Sequence, residues 1–154
     1  MIKLKDIIFE STAPDIFIPR RTEDRLERMI KSYIRNGSKG NLDLGEFGLT
    51  ELPSILKDID VGRFFICSNN NLTSLNNSPK TVGRYFSCNN NKLTSLEGAP
   101  SSVGGGFICS NNNLTSLIGA PTYVGGTFNC RHNPVKFTEE QVRAVCDDDG
   151  RIFV

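Results

Sequence analysis

Four valines, Val61, Val82, Val103 and Val124, stand 21 residues apart, and so do four cysteines, Cys67, Cys88, Cys109 and Cys130. Around them the chain repeats one phrase: "VGRFFICSNNNLTSL" at 61–75, "VGRYFSCNNNKLTSL" at 82–96 and "VGGGFICSNNNLTSL" at 103–117. A fixed period of this length constrains the fold more than any other feature. Each copy is one supersecondary unit, too small to bury an apolar face alone, so the copies must stack into a solenoid with a shared core.

The columns of the repeat show how each unit is built. Phe65, Phe86, Phe107 and Phe128 form one column, and the cysteines follow two residues later. This period-2 alternation predicts a short strand with Phe and Cys inward, the thiol acting as a small hydrophobe. Leu72, Leu93, Leu114 and Val135 form another inward column, and Leu75, Leu96 and Leu117 a further one. Asn70, Asn91, Asn112 and Asn133 stand three residues after each cysteine. We expect them to turn inward and satisfy backbone groups at the bend, as a structural ladder. The preceding residues, Asn69, Asn90, Asn111 and His132, should face out. Gly62, Gly83, Gly104 and Gly125 suit a tight turn before each strand. Pro79, Pro100 and Pro121 suit a return segment that is irregular or extended. The stretch "LDLGEFGLTELP" at 42–53 fits the frame as a divergent first copy, with Phe47 where Asn would stand.

The pattern F-x-C-x-x-N-x-L-T-x-L resembles the leucine-rich repeat, with its core L-x-x-L-x-L-x-x-N-x-L. The wording "NNxLTSLEGAPxxVGG" is similar to short leucine-rich-repeat proteins of tailed bacteriophages and some bacteria. The resemblance covers about residues 40–137 and implies a general binding scaffold. The expected fold is therefore an α/β repeat: a leucine-rich-repeat solenoid with about five short parallel strands on the concave face and helical caps at both ends. Residues 1–39 are read as an N-terminal segment and cap, 40–137 as the repeat array, and 138–154 as a C-terminal cap, all one structural domain. From Thr22, taken as N-cap, Leu26, Met29, Ile30, Tyr33 and Ile34 share one helical face, and Asn36-Gly37 signals the stop. "TEEQ" at 138–141 is a capping-box pattern, and Val142, Val145 and Cys146 give its helix an apolar stripe.

Balanced charge, 18 basic against 17 acidic side chains, gives no electrostatic reason to expect nucleic acid or an anionic membrane as partner. No apolar run reaches 18 residues, and "MIKLKDIIFE" does not read as a secretory signal. The cysteines are then expected to be reduced thiols in a cytoplasm. Stacked in a line, they do not converge as zinc ligands must, so neither metal nor cofactor is expected. Cys130 should face the core while His132 sits at the strand exit, which disfavours a catalytic pair. "DDDG" at 147–150 lacks the spaced ligands of a calcium loop and reads as a solvated helix end.

What remains is the outward, concave face. Phe64, Ile66, Tyr85, Ser87, Asn89, Ile108, Asn129 and Arg131 are its candidate partner-binding residues, beside Ser68, Gly106, Ser110 and Thr127. Large apolar groups exposed there mark an interaction surface. Alternatively, residues 11–21, "STAPDIFIPRR", fold over the face and cover it. The leading expectation is a non-enzymatic protein-binding module, phage-encoded, acting on a host or virion protein. The alternatives are a recognition part of an effector, or a virion-packaged internal or structural protein. The last rests on Ile8-Phe9-Glu10, which resembles the I-x-E cleavage signal of capsid-targeting peptides in T4-like phage internal proteins. The bland alternative there is an amphipathic helix using Ile2, Leu4, Ile7 and Ile8. Oligomeric state is not legible.

Overall fold

A computed structural model of the protein describes residues 20–154. The opening decapeptide and residues 11–19 of the covering segment lie outside the described residues. The described residues begin with helix α1 (Arg20–Arg35) and then coil as a parallel-strand solenoid. Strands β1 (Leu42–Asp43), β2 (Phe65–Ile66), β4 (Phe86–Ser87), β6 (Phe107–Ile108), β8 (Phe128–Asn129) and β10 (Ile152–Phe153) form one six-stranded parallel sheet in that order. Phe65, Phe86, Phe107 and Phe128 pair in register. Phe65, Phe86 and Phe107 stack through the core at centroid separations of 5.4 and 5.2 Å, and Phe128 lies tilted by 39° against Phe107 at 5.3 Å. Each such contact adds about 0.5–1.5 kcal/mol beyond burial.

The return segment is more regular than the sequence suggests. β3 (Thr81–Val82), β5 (Ser102–Val103), β7 (Tyr123–Val124) and β9 (Asp147–Asp148) form a second parallel sheet, and Val61 bridges to Val82 at its edge. Each valine points inward, buried between the sheets and the leucine columns. The glycine that follows is needed for a reason other than the tight turn expected. None of Gly62, Gly83, Gly104 and Gly125 has a positive φ. A Cβ on Gly83 would instead stand 2.3 Å from Gly62 O, one on Gly104 2.3 Å from Gly83 O, and one on Gly125 2.5 Å from Gly104 O. The coils touch backbone to backbone along this column, and only glycine leaves room.

The two ends are closed differently. α1 begins by Arg20, so Thr22 lies inside the helix and not at its cap; arginines are good helix formers and extend it. Leu26, Ile30 and Tyr33 are buried against the first coil, with Met29 and Ile34 partly buried beside them. The helix stops as the sequence signals. Gly37 is left-handed at φ 72°, Gly37 N donates to Ile34 O and Ser38 N to Tyr33 O. Tyr33 Oη then donates to Ser38 O at 2.5 Å and accepts from Gly62 N at 3.3 Å, tying the helix to the array.

At the far end, α2 (Glu139–Arg143) carries the capping box of Thr138 and Gln141. Val142 and Cys146 are buried, but Val145 is exposed and leaves the stripe. The "DDDG" stretch is not a solvated helix end. Asp147–Asp148 is β9, pairing with Tyr123–Val124, and β10 follows it to add the sixth strand. Residues 148–153 thus repeat the backbone path of Val124–Asn129. Asp149 N donates to Val124 O, and Cys130 N donates to Phe153 O. Backbone pairing needs no particular side chain, which is why a diverged sequence still closes the array.

Candidate functional site

The bend after each strand sets the geometry of the face. Asn91 Nδ2 donates to Cys88 O of its own coil at 3.1 Å and to Cys67 O of the coil before at 3.0 Å, while Leu72 N donates to Asn91 Oδ1 at 3.0 Å. Asn112 repeats this set with Cys109 O, Cys88 O and Leu93 N. Asn70 does the same one coil earlier, reaching Leu44 O and accepting from Leu49 N. Asn133, half-buried, closes the ladder on Cys130 O, Cys109 O and Leu114 N. Each amide therefore couples two coils. The residue before it sits in the left-handed region: Asn69, Asn90, Asn111 and His132 have φ of 53–57°. Asparagine tolerates that conformation better than most residues, a signal in the "NNN" wording that outward-facing exposure alone had not explained.

The thiol column is sealed. Cys67, Cys88, Cys109 and Cys130 are at most 2% exposed. Cys88 and Cys109 direct their sulfurs at Ile108 O and Asn129 O, both at 3.4 Å. Burial pushes the thiols of Cys67, Cys88 and Cys109 well above their ordinary value of 9.0, and the neighbouring cysteine adds to it. Cys130 is pushed up to about 11 by burial. Its sulfur lies 3.7 Å from Phe153 O, while His132 is exposed at the left-handed corner, so the two do not meet as nucleophile and base. A thiol with a raised folded-state value stays protonated in the native protein. The contribution of these thiols to stability is therefore constant up to about pH 9, the unfolded thiol value, and falls above it by about 1.4 kcal/mol per pH unit for each fully buried thiol. Chemical denaturation between pH 8 and 10.5 should show this fall, and Cys88→Ala should have a shallower slope than wild type. Identical slopes would mean that the column does not titrate with unfolding.

The outward columns of the six-stranded sheet form the face. Tyr85 is 47% exposed and is its most prominent side chain. Its ring meets Phe64 edge-on at a centroid distance of 5.8 Å and an interplanar angle of 80°. On the other side it lies over Gly106, where a Cβ would come within 2.4 Å of Tyr85 Cε1. The aromatic pair thus needs a glycine in the next coil to lie down, a dependence not apparent from any single repeat. Ile66, Ser87, Asn89, Ile108 and Asn129 are half-buried, while Ser68, Gly106 and Ser110 are buried. Ser87 Oγ donates to Asn89 Oδ1 at 2.6 Å, and Arg131 N donates to Asn129 Oδ1 at 3.1 Å, so both amide oxygens are already engaged within the face. Arg131 is exposed, with its guanidinium 4.6 Å from the Phe153 ring centroid.

Compared with protein-family models, with curated proteins and with solved structures, the chain matches none. The architecture, a parallel-strand repeat solenoid of 21-residue period with a helix near each end, stands on the backbone pairing alone. Among the described residues, no group of three His, Cys, Asp or Glu side chains is placed to hold a metal ion, and no helix is long and apolar enough to cross a membrane.

Proposed function

We propose that this chain is a non-enzymatic protein-binding module of leucine-rich-repeat type, which engages its partner through the outward face of the six-stranded sheet. The observation that carries the reading is the Phe64–Tyr85 pair. A tyrosine ring 47% exposed is braced by an aromatic neighbour on one side and a glycine on the other. An aromatic held in one orientation loses little freedom on binding, which is what makes such residues interface anchors. The buried, protonated thiols support a module without a cysteine nucleophile and suit the reducing cytoplasm of a bacterial host. The likeness of the "NNxLTSLEGAPxxVGG" wording to phage proteins supports a phage origin and a host or virion protein as partner.

The test is affinity capture with the wild-type protein and a Phe64→Ala/Tyr85→Ala variant side by side. Both side chains lie outside the core, so the variant should keep the wild-type circular dichroism spectrum and melting profile. Tyr85→Ala alone should weaken binding of the captured partner by about 2 kcal/mol. A folded double variant that captures the same partner with unchanged affinity would remove this face from the interaction.

A further inference from the structure

Charge is unevenly distributed on this face. The whole chain is nearly neutral, at +1. Yet in the five coils from Phe65 to Ile152 no outward position of the sheet carries a carboxylate, and Asp149, at the entrance of the last strand, accepts from Tyr123 Oη at 3.0 Å. The same coils carry Arg131 and Arg151 in the outward columns, and Arg63 and Arg84 at the strand entrances, all four exposed. Arg63 leans toward the sheet, its guanidinium 5.7 Å from the Phe64 ring centroid. The nearest acid in the outward columns, Asp43, belongs to the first coil, where its Oδ1 accepts from Gly45 N. Among the described residues the one ion pair joins Lys31 and Glu27 on α1, so none of these arginines is neutralised by a described carboxylate.

Between the two arginine pairs the strand entrances are glycines. Gly104, Gly105 and Gly106 replace the Gly-Arg-aromatic run of the two preceding coils, and Gly125 and Gly126 continue the gap into the next. A partner's backbone can approach Gly105 and Gly126 closely; Gly106 lies beneath the Tyr85 ring, and Tyr123 Oη stands beside Gly125, donating to Asp149 Oδ2 at 3.0 Å. The coil of Arg84 and that of Arg151 are three strand spacings apart, about 14 Å, which four to five extended residues span.

Resting on the binding role proposed above, we infer that the partner presents an acidic, extended segment, laid along the solenoid axis over Gly105 and Gly126. Its carboxylates pair with Arg84 and Arg151, and an apolar side chain packs on Tyr85. A protein segment fits better than single-stranded nucleic acid. Polyanion binding draws on a general basic surplus, which a chain of net charge +1 lacks.

The test is selection from a random heptapeptide library displayed on yeast against the full-length protein. Enriched peptides should be richer in Asp and Glu than the starting library. Their affinity should fall about tenfold or more for Arg84→Gln/Arg151→Gln, and by a similar factor when the peptide carboxylates are changed to amides. The amide peptides keep the test independent of how the variant folds. Neutral or basic enriched peptides, or acidic ones indifferent to the arginines, overturn the inference. If such peptides are still lost on Phe64→Ala/Tyr85→Ala, the binding role stands and only the acidic partner falls. Enrichment no better than on bare matrix, or binding insensitive to both variants, overturns both. A single-stranded oligonucleotide that outcompetes the selected peptides overturns the protein partner in favour of nucleic acid.

Discussion

Asn91→Ala should destabilise the protein by about 3–5 kcal/mol, seen as a large drop in the denaturation midpoint. The amide serves Leu72 N, Cys67 O and Cys88 O, and alanine leaves these groups in the core without a partner. Each buried unsatisfied group costs about 1–3 kcal/mol, partly relieved by water or a small shift of the bend. The loss reaches beyond one coil, because two of the three bonds cross to the preceding repeat. Asn90→Ala is the control. Its side chain is exposed and donates to Asn69 Oδ1, so little packing is lost. Its left-handed backbone nonetheless penalises alanine by about 1–2 kcal/mol. Asn90→Gly, which removes that penalty, should come close to wild type. Equal midpoints for Asn91→Ala and Asn90→Ala would refute the division of labour between the two asparagines.

Gly104→Ala is expected to cost about 3 kcal/mol, although it adds one methyl group near the surface. That methyl would stand 2.3 Å from Gly83 O, and the obstacle is backbone held by the parallel ladder, which cannot rotate away. Overpacking of this kind costs about 1–3 kcal/mol or more. Gly62→Ala, at the same place in the repeat, should cost less than about 1 kcal/mol. Its nearest neighbour would be Ser38 O at 3.2 Å, against 2.3 Å for Gly104, so a far smaller shift relieves the contact. Urea denaturation of the two variants separates the explanations. If the column were conserved within the chain for a turn conformation, both alanines would behave alike.

The phenylalanine and cysteine columns were legible in the sequence, because stacking identical units forces identical burial, whereas Val135 of the leucine column is only partly buried and the inward valine column went unread. Phe65, Phe86, Phe107, Cys67, Cys88 and Cys109 are all inaccessible, as the period-2 alternation implies. The asparagine positions were legible for the same reason: a polar residue fixed between core columns must answer buried backbone groups. The left-handed corner at Asn69, Asn90 and Asn111 left a trace in the repeated asparagines, but propensity alone does not distinguish a backbone requirement from a binding surface.

The tertiary structure decided what depends on the distance between coils. No single repeat shows that Gly83 O would strike a Cβ on Gly104, or that Tyr85 rests on Gly106, since both contacts join residues about one period apart. The second sheet was hidden likewise. A two-residue strand such as Ser102–Val103 has no pattern long enough to read, and exists because its neighbours are held in register by the first sheet. The last coil is the extreme case. "DDDGRIF" shares little with "YVGGTFN", yet the backbone of the coil before it offers unpaired donors and acceptors, and pairing with them costs the new segment no particular side chain. Side-chain periodicity thus specified the core of this protein from sequence alone, whereas the close approach of coil to coil, which governs its glycines, its second sheet and the shape of its outward face, arises only when the repeats are stacked.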